Sequence, residues 1–459
     1  MPILIPRTHI VQLNALPRKF LVRDDFTDNL AAGAVDGTSP TPGPGGKRVV
    51  ADTGNNISVG GGVATFAGGT GTWGQTTTAW DDPITRPGRY DRGYRIEFDI
   101  VADNDKLMWA GLATDTAPGD PTAADCEHAI AFAADGNLDI YAGGVLVKAD
   151  AMAYVNGTTY RVRLVLYSTG CFYAISANGG LTFTALHENI AKNTATLYAA
   201  ISNYNAVFTA DRVRTEAALY VETFADYVTD ISVLQARVLR NVFRATTGAA
   251  WTNKTNWLST TTAGNWFGIT VAGGHVTEIN LNSNLLNGEW TTAMLTPLTG
   301  LTQLYAYTNV NLNCSFALSD LPAGIVYLHL GSTSSVITGA LSDLPAGMMY
   351  LYLYATASVI TGGAVAMTSV GIIEIAVYTC AMDQPTVDSQ VLRLYTDRAS
   401  FTYATPSLNT GGTNAAPTGI YQDGDPPTTG LEYIYELAND PEIENFKKWT
   451  ITWNGGSAP

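Results

Sequence analysis

Apolar doublets recur through the second half of the chain at Ile279/Leu281, Leu304/Ala306, Leu328/Leu330, Leu351/Leu353 and Ile375/Val377, separated by 25, 24, 23 and 24 residues. A fixed period in the twenties, with one alternating strand core per unit, predicts a solenoid in which each unit lays a short parallel strand beside the last. Some copies are nearly literal. Leu318-Ser-Asp-Leu-Pro-Ala-Gly324 recurs as Leu341-Ser-Asp-Leu-Pro-Ala-Gly347, and Ser335-Val-Ile-Thr-Gly339 as Ser358-Val-Ile-Thr-Gly362. Because a strand alternates faces, the doublets point into the core and their neighbours project from the other side of the sheet. Those outward rows read Glu278, Asn280, Asn282; Gln303, Tyr305, Tyr307; Tyr327, His329, Gly331; Tyr350, Tyr352, Tyr354; and Glu374, Ala376, Tyr378.

From Phe20 to about Glu222 the pattern is different: short alternating runs separated by Gly, Asn, Asp and Pro. Tyr94–Ile100, Leu138–Tyr141, Tyr160–Leu166, Cys171–Ser176 and Leu197–Ser202 predict strands of an antiparallel sandwich over residues 20–222. Ala32 to Gly74, rich in Gly, Pro, Thr and Ser, reads as an exposed loop before a strand at Gly62–Phe66. From about Asp230 to Arg244 the period becomes helical. Ile231, Leu234, Val238, Leu239 and Val242 fall on one face, and Asp230 can cap the helix. Past Leu394 the repeat stops, with a short helix expected at Gly430–Ala438 and a strand at Lys447–Trp453.

Two resemblances follow from these motifs. Trp251-Thr-Asn-Lys-Thr-Asn-Trp257, Gly264-Asn-Trp-Phe-Gly-Ile-Thr270 and His275-Val-Thr-Glu-Ile-Asn-Leu281 occur in the order of the N-terminal cap and first repeat of plant- and bacterial-type leucine-rich repeat proteins. The cap cysteines of secreted plant members are missing around Trp266, so no cap disulfide is implied. The first half, through Asp24-Asp-Phe-Thr-Asp28, Ile96-Glu-Phe-Asp-Ile100, Tyr160-Arg-Val-Arg-Leu164 and Asn178-Gly-Gly180, resembles the concanavalin-A-like lectin and glucanase jelly rolls that recur in virus tail proteins. The expected fold is therefore mainly β: a lectin-like jelly-roll sandwich, then a leucine-rich-repeat solenoid with a helical N-terminal cap and a C-terminal cap. The expected divisions are an arm at 1–19, the sandwich at 20–222, linker and helical cap at 223–275, repeats at 276–403 and a closing cap at 404–459.

Charge narrows the partners. The net charge of −15 argues against nucleic acid, which requires a basic stripe. No run approaches the roughly 18 apolar residues of a membrane span. The first segment, MPILIPRTHIVQLNALPRKF, lacks the uninterrupted apolar region of a secretion signal and carries Arg7, Arg18 and Lys19. It is expected to be either an assembly-docking arm or a first strand or tail. Cys126, Cys171, Cys314 and Cys380 follow no ligand spacing and read as buried free thiols.

Candidate chemistry is sparse. Jelly-roll glucanases carry two glutamates and an aspartate on one strand face; Glu97 and Asp99 share a face, but Val101 and Asp103 supply no third member, so hydrolysis is not expected and the two acids read as solvent-facing. Asp24, Asp25, Asp28 and Asp103-Asn-Asp105 offer oxygen ligands without the fixed spacing of a calcium loop. The five histidines do not cluster in sequence, and no cofactor or metal is expected. What remains is the aromatic row Tyr305, Tyr307, Tyr327, His329, Tyr350, Tyr352 and Tyr354, which suits ligand binding through rigid amphipathic rings, or a structural ladder of stacked side chains. If it binds, Tyr352→Ala is expected to weaken affinity far more than stability.

Together these modules resemble bacteriophage tail-fibre, appendage or decoration proteins. The expectation is a non-enzymatic, homo-oligomeric virion surface protein, bound to other virion proteins and to a host-surface glycan or protein, without membrane insertion. The alternative is a bacterial surface adhesin or secreted carbohydrate-binding protein.

Overall fold

The computed structural model describes residues 20–41, 46–80, 93–101, 107–116, 118–167, 170–189, 195–217, 223–403, 405–439 and 447–458. Arg7, Arg18, Lys19 and Asp103-Asn-Asp105 lie outside them. The chain divides into two units, one of Met1–Tyr227 with Leu258–Thr261, the other of Val228–Trp257 with Thr262–Pro459.

In the first unit two antiparallel sheets enclose one core. One runs in the order Thr184–Asn189, Gly170–Ser176, Thr159–Tyr167, Tyr94–Val101, Val207–Ala217, Val63–Ala67 and Ile57–Gly60, with Phe20–Asp24 also paired to Val207–Ala217. The other runs Val145–Ala153, Asn137–Ala142, Cys126–Phe132, Met108–Ala113, Tyr198–Asn203, Thr76–Trp80 and Arg48–Asp52. Alternation decides which side chains meet. Ile96, Phe98 and Ile100 from the first sheet join Leu112, Ile130, Phe132 and Ile201 from the second in one buried cluster.

Composition misleads between Ala32 and Gly74. Arg48–Asp52 and Ile57–Gly60 are strands there, not loop, and Arg48 is wholly buried. The reason is electrostatic. Asp24 Oδ1 accepts from Arg48 Nη2 at 2.7 Å and Asp24 Oδ2 from Arg48 Nε at 2.6 Å, while Trp80 Nε1 donates to the same Oδ2 at 3.0 Å and Asp28 meets Arg48 Nη1 at 2.9 Å. A fork-to-carboxylate pair with its remaining lone pairs satisfied is the arrangement in which a buried charge survives. It also removes Asp24 and Asp28 as candidate calcium ligands, and Asp25 is engaged by Arg23 and Arg214.

The second unit is built on two sheets of mainly parallel strands. Parallel strands His275–Asn280, Gln303–Tyr305, Tyr327–His329, Tyr350–Tyr352 and Glu374–Ala376 pair in register at Ile279, Leu304, Leu328, Leu351 and Ile375. The ladder continues through Leu408 and Ile451 at wider intervals, because the helices Gln384–Thr396 and Gly430–Asn439 are inserted between rungs. Short antiparallel strands, Ile269–Ala272 and Gly456–Ala458, close its two ends. A second parallel sheet, Asn287–Thr291, Asn311–Ala317, Val336–Ala340 and Val359–Thr361, lines the stack elsewhere. All ten doublet residues are at most 1% exposed.

A polar spine runs beside this apolar core. The fifth residue after each rung's first core position is Asn284, Asn309, Thr333, Thr356 or Cys380, and all five are buried. Asn309 Nδ2 donates to Leu281 O at 2.9 Å and Ala306 O at 2.8 Å, and its Oδ1 accepts from the backbone of Asn284 and Leu286 at 3.0 Å each. One amide thus satisfies the backbone where two successive strands turn away from the sheet. The residue before each spine position, Ser283, Thr308, Ser332, Ala355 or Thr379, is left-handed with φ between 51° and 59°.

The helix Val233–Ala245 is capped by Ser232, whose side chain accepts from Gln235 N, rather than by Asp230. Asp230 instead accepts from the backbone of Ala263 and Gly264, each at 2.8 Å. Leu234 is 60% exposed, and Phe243 fills the buried face in its place. Phe243 packs against Trp251 and Trp257, and Trp257 against Trp266.

Candidate functional site

The non-core face of the long parallel sheet carries the aromatic row. Parallel pairing puts equivalent residues of successive rungs about 4.8 Å apart, close enough for rings to touch. Tyr305 lies 4.6 Å from Tyr327 between ring centroids, Tyr327 5.0 Å from Tyr350, Tyr307 4.1 Å from His329, His329 4.9 Å from Tyr352, and Tyr354 4.8 Å from Tyr378. The structure therefore brings all seven sequence-identified aromatic residues into one band and adds Tyr378. None is fully solvent-facing; each is half-buried by its neighbours. A stability effect at Tyr352 is thus expected alongside any binding effect, since the ring touches Tyr327 and His329 and its hydroxyl donates to Glu374 Oε2 at 2.7 Å.

Polar tips lock the band. His329 Nε2 lies 2.9 Å from the Tyr354 hydroxyl, Tyr305 donates to Gln303 Oε1 at 2.8 Å, and Asn282 Nδ2 donates to the Tyr307 hydroxyl at 3.1 Å. Burial holds the His329 imidazole down to about 4, so it is neutral at physiological pH. Burial, then the hydrogen-bonded Glu374 carboxylate, pushes the Tyr352 phenol up. The band is an uncharged, pre-ordered surface of ring edges and hydroxyls.

One rung before the first tyrosine, the aromatic row gives way to Glu278, Asn280 and Asn282, and Asn280 is in register with Tyr305. Here a shallow cleft of about 340 Å³ opens between that polar row and the segment Phe267–Thr270. Gly268 makes the close approach possible. Its φ is +75°, a Cβ there would sit 2.1 Å from Asn280 O, and Asn280 N donates to Gly268 O at 2.7 Å. Trp257 Nε1 donates to Phe267 O at 2.9 Å and fixes the other wall. The polar row is legible in sequence; the cleft is not, because Phe267 and Asn280 meet only through the antiparallel turn back onto the first rung.

The other sequence candidates behave differently. Glu97 and Asp99 are not solvent-facing. Asp99 is bonded by Arg161 at 2.6 Å with Arg212 at 3.3 Å, and Glu97 by Arg163 at 2.6 Å, each acid standing between arginines of the two flanking strands. His128 and His187, far apart in sequence, both flank the buried Tyr173, and His128 Nδ1 lies 2.7 Å from its hydroxyl. All four cysteines are buried free thiols. Among the described residues no group of three His, Cys, Asp or Glu could hold a metal ion, and no helix is long and apolar enough to cross a membrane.

No family model and no curated protein matches this sequence. Among solved structures, the calcium-bound VIP36 exoplasmic/lumenal domain is 7% identical, over 36% of this chain and 82% of that one, with a TM-score of 0.28. Basic winged bean lectin with Tn-antigen is 8% identical, over 35% and 89%, with a TM-score of 0.27. A sialidase is 10% identical over 42% of this chain, which spans 21% of the sialidase's length, with a TM-score of 0.27. The chain is mainly β with few helices, and its architecture rests on its own strand pairing.

Proposed function

We propose that this protein is a non-enzymatic glycan-recognition protein of a virion surface, with a lectin-like jelly roll followed by a leucine-rich-repeat solenoid. The observation that carries the reading is the aromatic band, rings 4.1 to 5.0 Å apart across successive rungs, held by polar tips and carrying no lysine or arginine. Rigid amphipathic rings offer contact area to sugar rings at low entropic cost, and their hydroxyls add directional bonds. The repeat reading is supported by the in-register apolar doublets and the buried Asn/Thr/Cys spine.

The absence of catalysis is supported by the arginine pairing of Glu97 and Asp99, since a glycosidase needs two carboxyl groups free to flank the scissile bond. Virion location is supported by the sequence resemblance alone, with Arg7, Arg18 and Lys19 as the docking arm.

A glycan array tests the reading. The wild type is expected to select a restricted set of oligosaccharides, and Tyr327→Ala to lose about tenfold or more in affinity while retaining its far-ultraviolet dichroism. Binding equal to wild type in Tyr327→Ala and Tyr350→Ala would remove the band as the recognition surface. Mass spectrometry of purified particles, with and without residues 2–19, tests the virion role; a protein found only on bacterial surfaces would favour an adhesin.

A further inference from the structure

We infer that the cleft between Phe267–Thr270 and the row Glu278, Asn280, Asn282 is a separate subsite for one neutral pyranose ring. This deepens the glycan reading by naming the ligand class and its anchoring point, and rests on it for biological context.

Three observations converge. The first is uncommitted polar capacity. The Asn280 side-chain amide has no hydrogen bond to any described residue, although it is half-buried on a rung whose backbone is fully paired. Glu278 uses Oε2 to accept from Thr270 Oγ1 at 3.2 Å, and Asn282 uses Nδ2 toward Tyr307, so Glu278 Oε1 and Asn282 Oδ1 remain available as acceptors. An amide offering both a donor and an acceptor, between two acceptor oxygens, matches the alternating demands of neighbouring sugar hydroxyls.

The second is the pairing of polar and apolar walls. Phe267 is half-buried and stacks on no ring among the described residues, while its backbone is held on both sides by Trp257 Nε1 and Thr255 O. Its ring supplies the apolar wall that the C–H face of a pyranose requires. At about 340 Å³ the cleft is at the low end of ligand sites, which suits one ring rather than an enclosed chain.

The third is charge. Among the described residues no lysine, arginine or histidine lines the cleft, and Glu278 adds a negative charge. Sialic and uronic acids, phosphates and sulfates would meet repulsion without compensation, so the occupant is uncharged. The aromatic band begins one rung further along, at Tyr305, whose aromatic neighbour is Tyr327. A ring in the cleft is therefore placed where the next sugars of a chain would run onto the tyrosines.

Ligand-observed NMR on the full chain tests this with D-glucose, D-galactose, D-mannose and N-acetylglucosamine, and with sialic and glucuronic acids as anionic counterparts. At least one neutral sugar is expected to bind, and Asn280→Ala to lower its affinity about tenfold, because the lost amide bonds to a bound ligand are not replaced. Asn280→Ala breaks no hydrogen bond to any described residue, so its unfolding midpoint should match the wild type. The subsite is refuted if no neutral monosaccharide binds, if the acids bind equally well, or if Asn280→Ala binds like the wild type. Oligosaccharide binding that depends on Tyr327 but not on Asn280 would refute the subsite and leave the band standing; the reverse pattern would do the opposite.

Discussion

His329 stacks on Tyr307 at 4.1 Å between ring centroids while its Nε2 meets the Tyr354 hydroxyl at 2.9 Å, so one imidazole joins three consecutive rungs of the sheet. A charged ring could not keep both contacts cheaply. It would have to be desolvated among Tyr307, Tyr327, Tyr352 and Tyr354, with Glu374 reached only through the Tyr352 hydroxyl.

That placement fixes a pH dependence. His329 is held down to about 4, against about 6.5 in the unfolded chain. Between these values the unfolded chain binds a proton that the folded one does not, so the contribution is complete above about 6.5 and is lost as the pH falls toward 4. The protection of residues 327–354 from hydrogen exchange, relative to the intrinsic rate at each pH, should fall across this window in the wild type and much less in His329→Gln. An imidazole that titrates by NMR near its unfolded value would show that the ring is not desolvated.

The band also predicts a mixed effect at Tyr352. Removing the ring strips two close aromatic contacts and the bond to Glu374, so Tyr352→Ala should destabilise the second unit by about 1–3 kcal/mol in addition to any loss of glycan affinity. Tyr352→Phe, which keeps the ring, should recover most of that loss. Denaturant unfolding of both variants measures this, and unchanged stability in Tyr352→Ala would mean the stack contributes nothing to the fold.

The spine gives a sharper test. Asn309→Ala leaves two backbone carbonyls and two backbone amides without their partner in a buried position, and should cost about 3 kcal/mol or more. Asn309→Thr, which imitates the neighbouring spine residues Thr333 and Thr356, should cost less. Equal losses in the two variants would argue that size rather than hydrogen bonding matters there.

In the first unit, Asp24→Ala should cost about 3–5 kcal/mol, because it strands a wholly buried guanidinium. Replacing both partners, as Asp24→Leu with Arg48→Met, should recover a large part of the loss. Thermal unfolding of the single and double variants distinguishes this from a surface pair, for which both changes would be small.

How far the sequence reaches differs between the units. In the second unit, each rung's strand, core doublet and outward row are set by neighbours a few residues away, and the near-constant period sets which rungs pair. The register Ile279–Leu304–Leu328–Leu351–Ile375 is therefore readable directly, and so is the membership of the aromatic band. The spine was readable too, as Asn, Asn, Thr, Thr and Cys at one fixed offset, but its mixed composition hides a shared hydrogen-bonding role.

Only the tertiary structure decided the rest. Arg48 looks like a surface residue in a Gly- and Pro-rich stretch until Asp24, Asp28 and Trp80 converge on it, and Glu97 and Asp99 look solvated until arginines from two flanking strands cover them. Their burial depends on partners distant in sequence, which no local pattern encodes. The tyrosines could be assigned to one face by alternation, but their half-burial follows from ring-to-ring packing between rungs, and the cleft beside them exists because Gly268 lets two segments approach where any Cβ would collide. Periodicity determines which face a residue occupies; the chemistry of that face depends on what the fold brings opposite it.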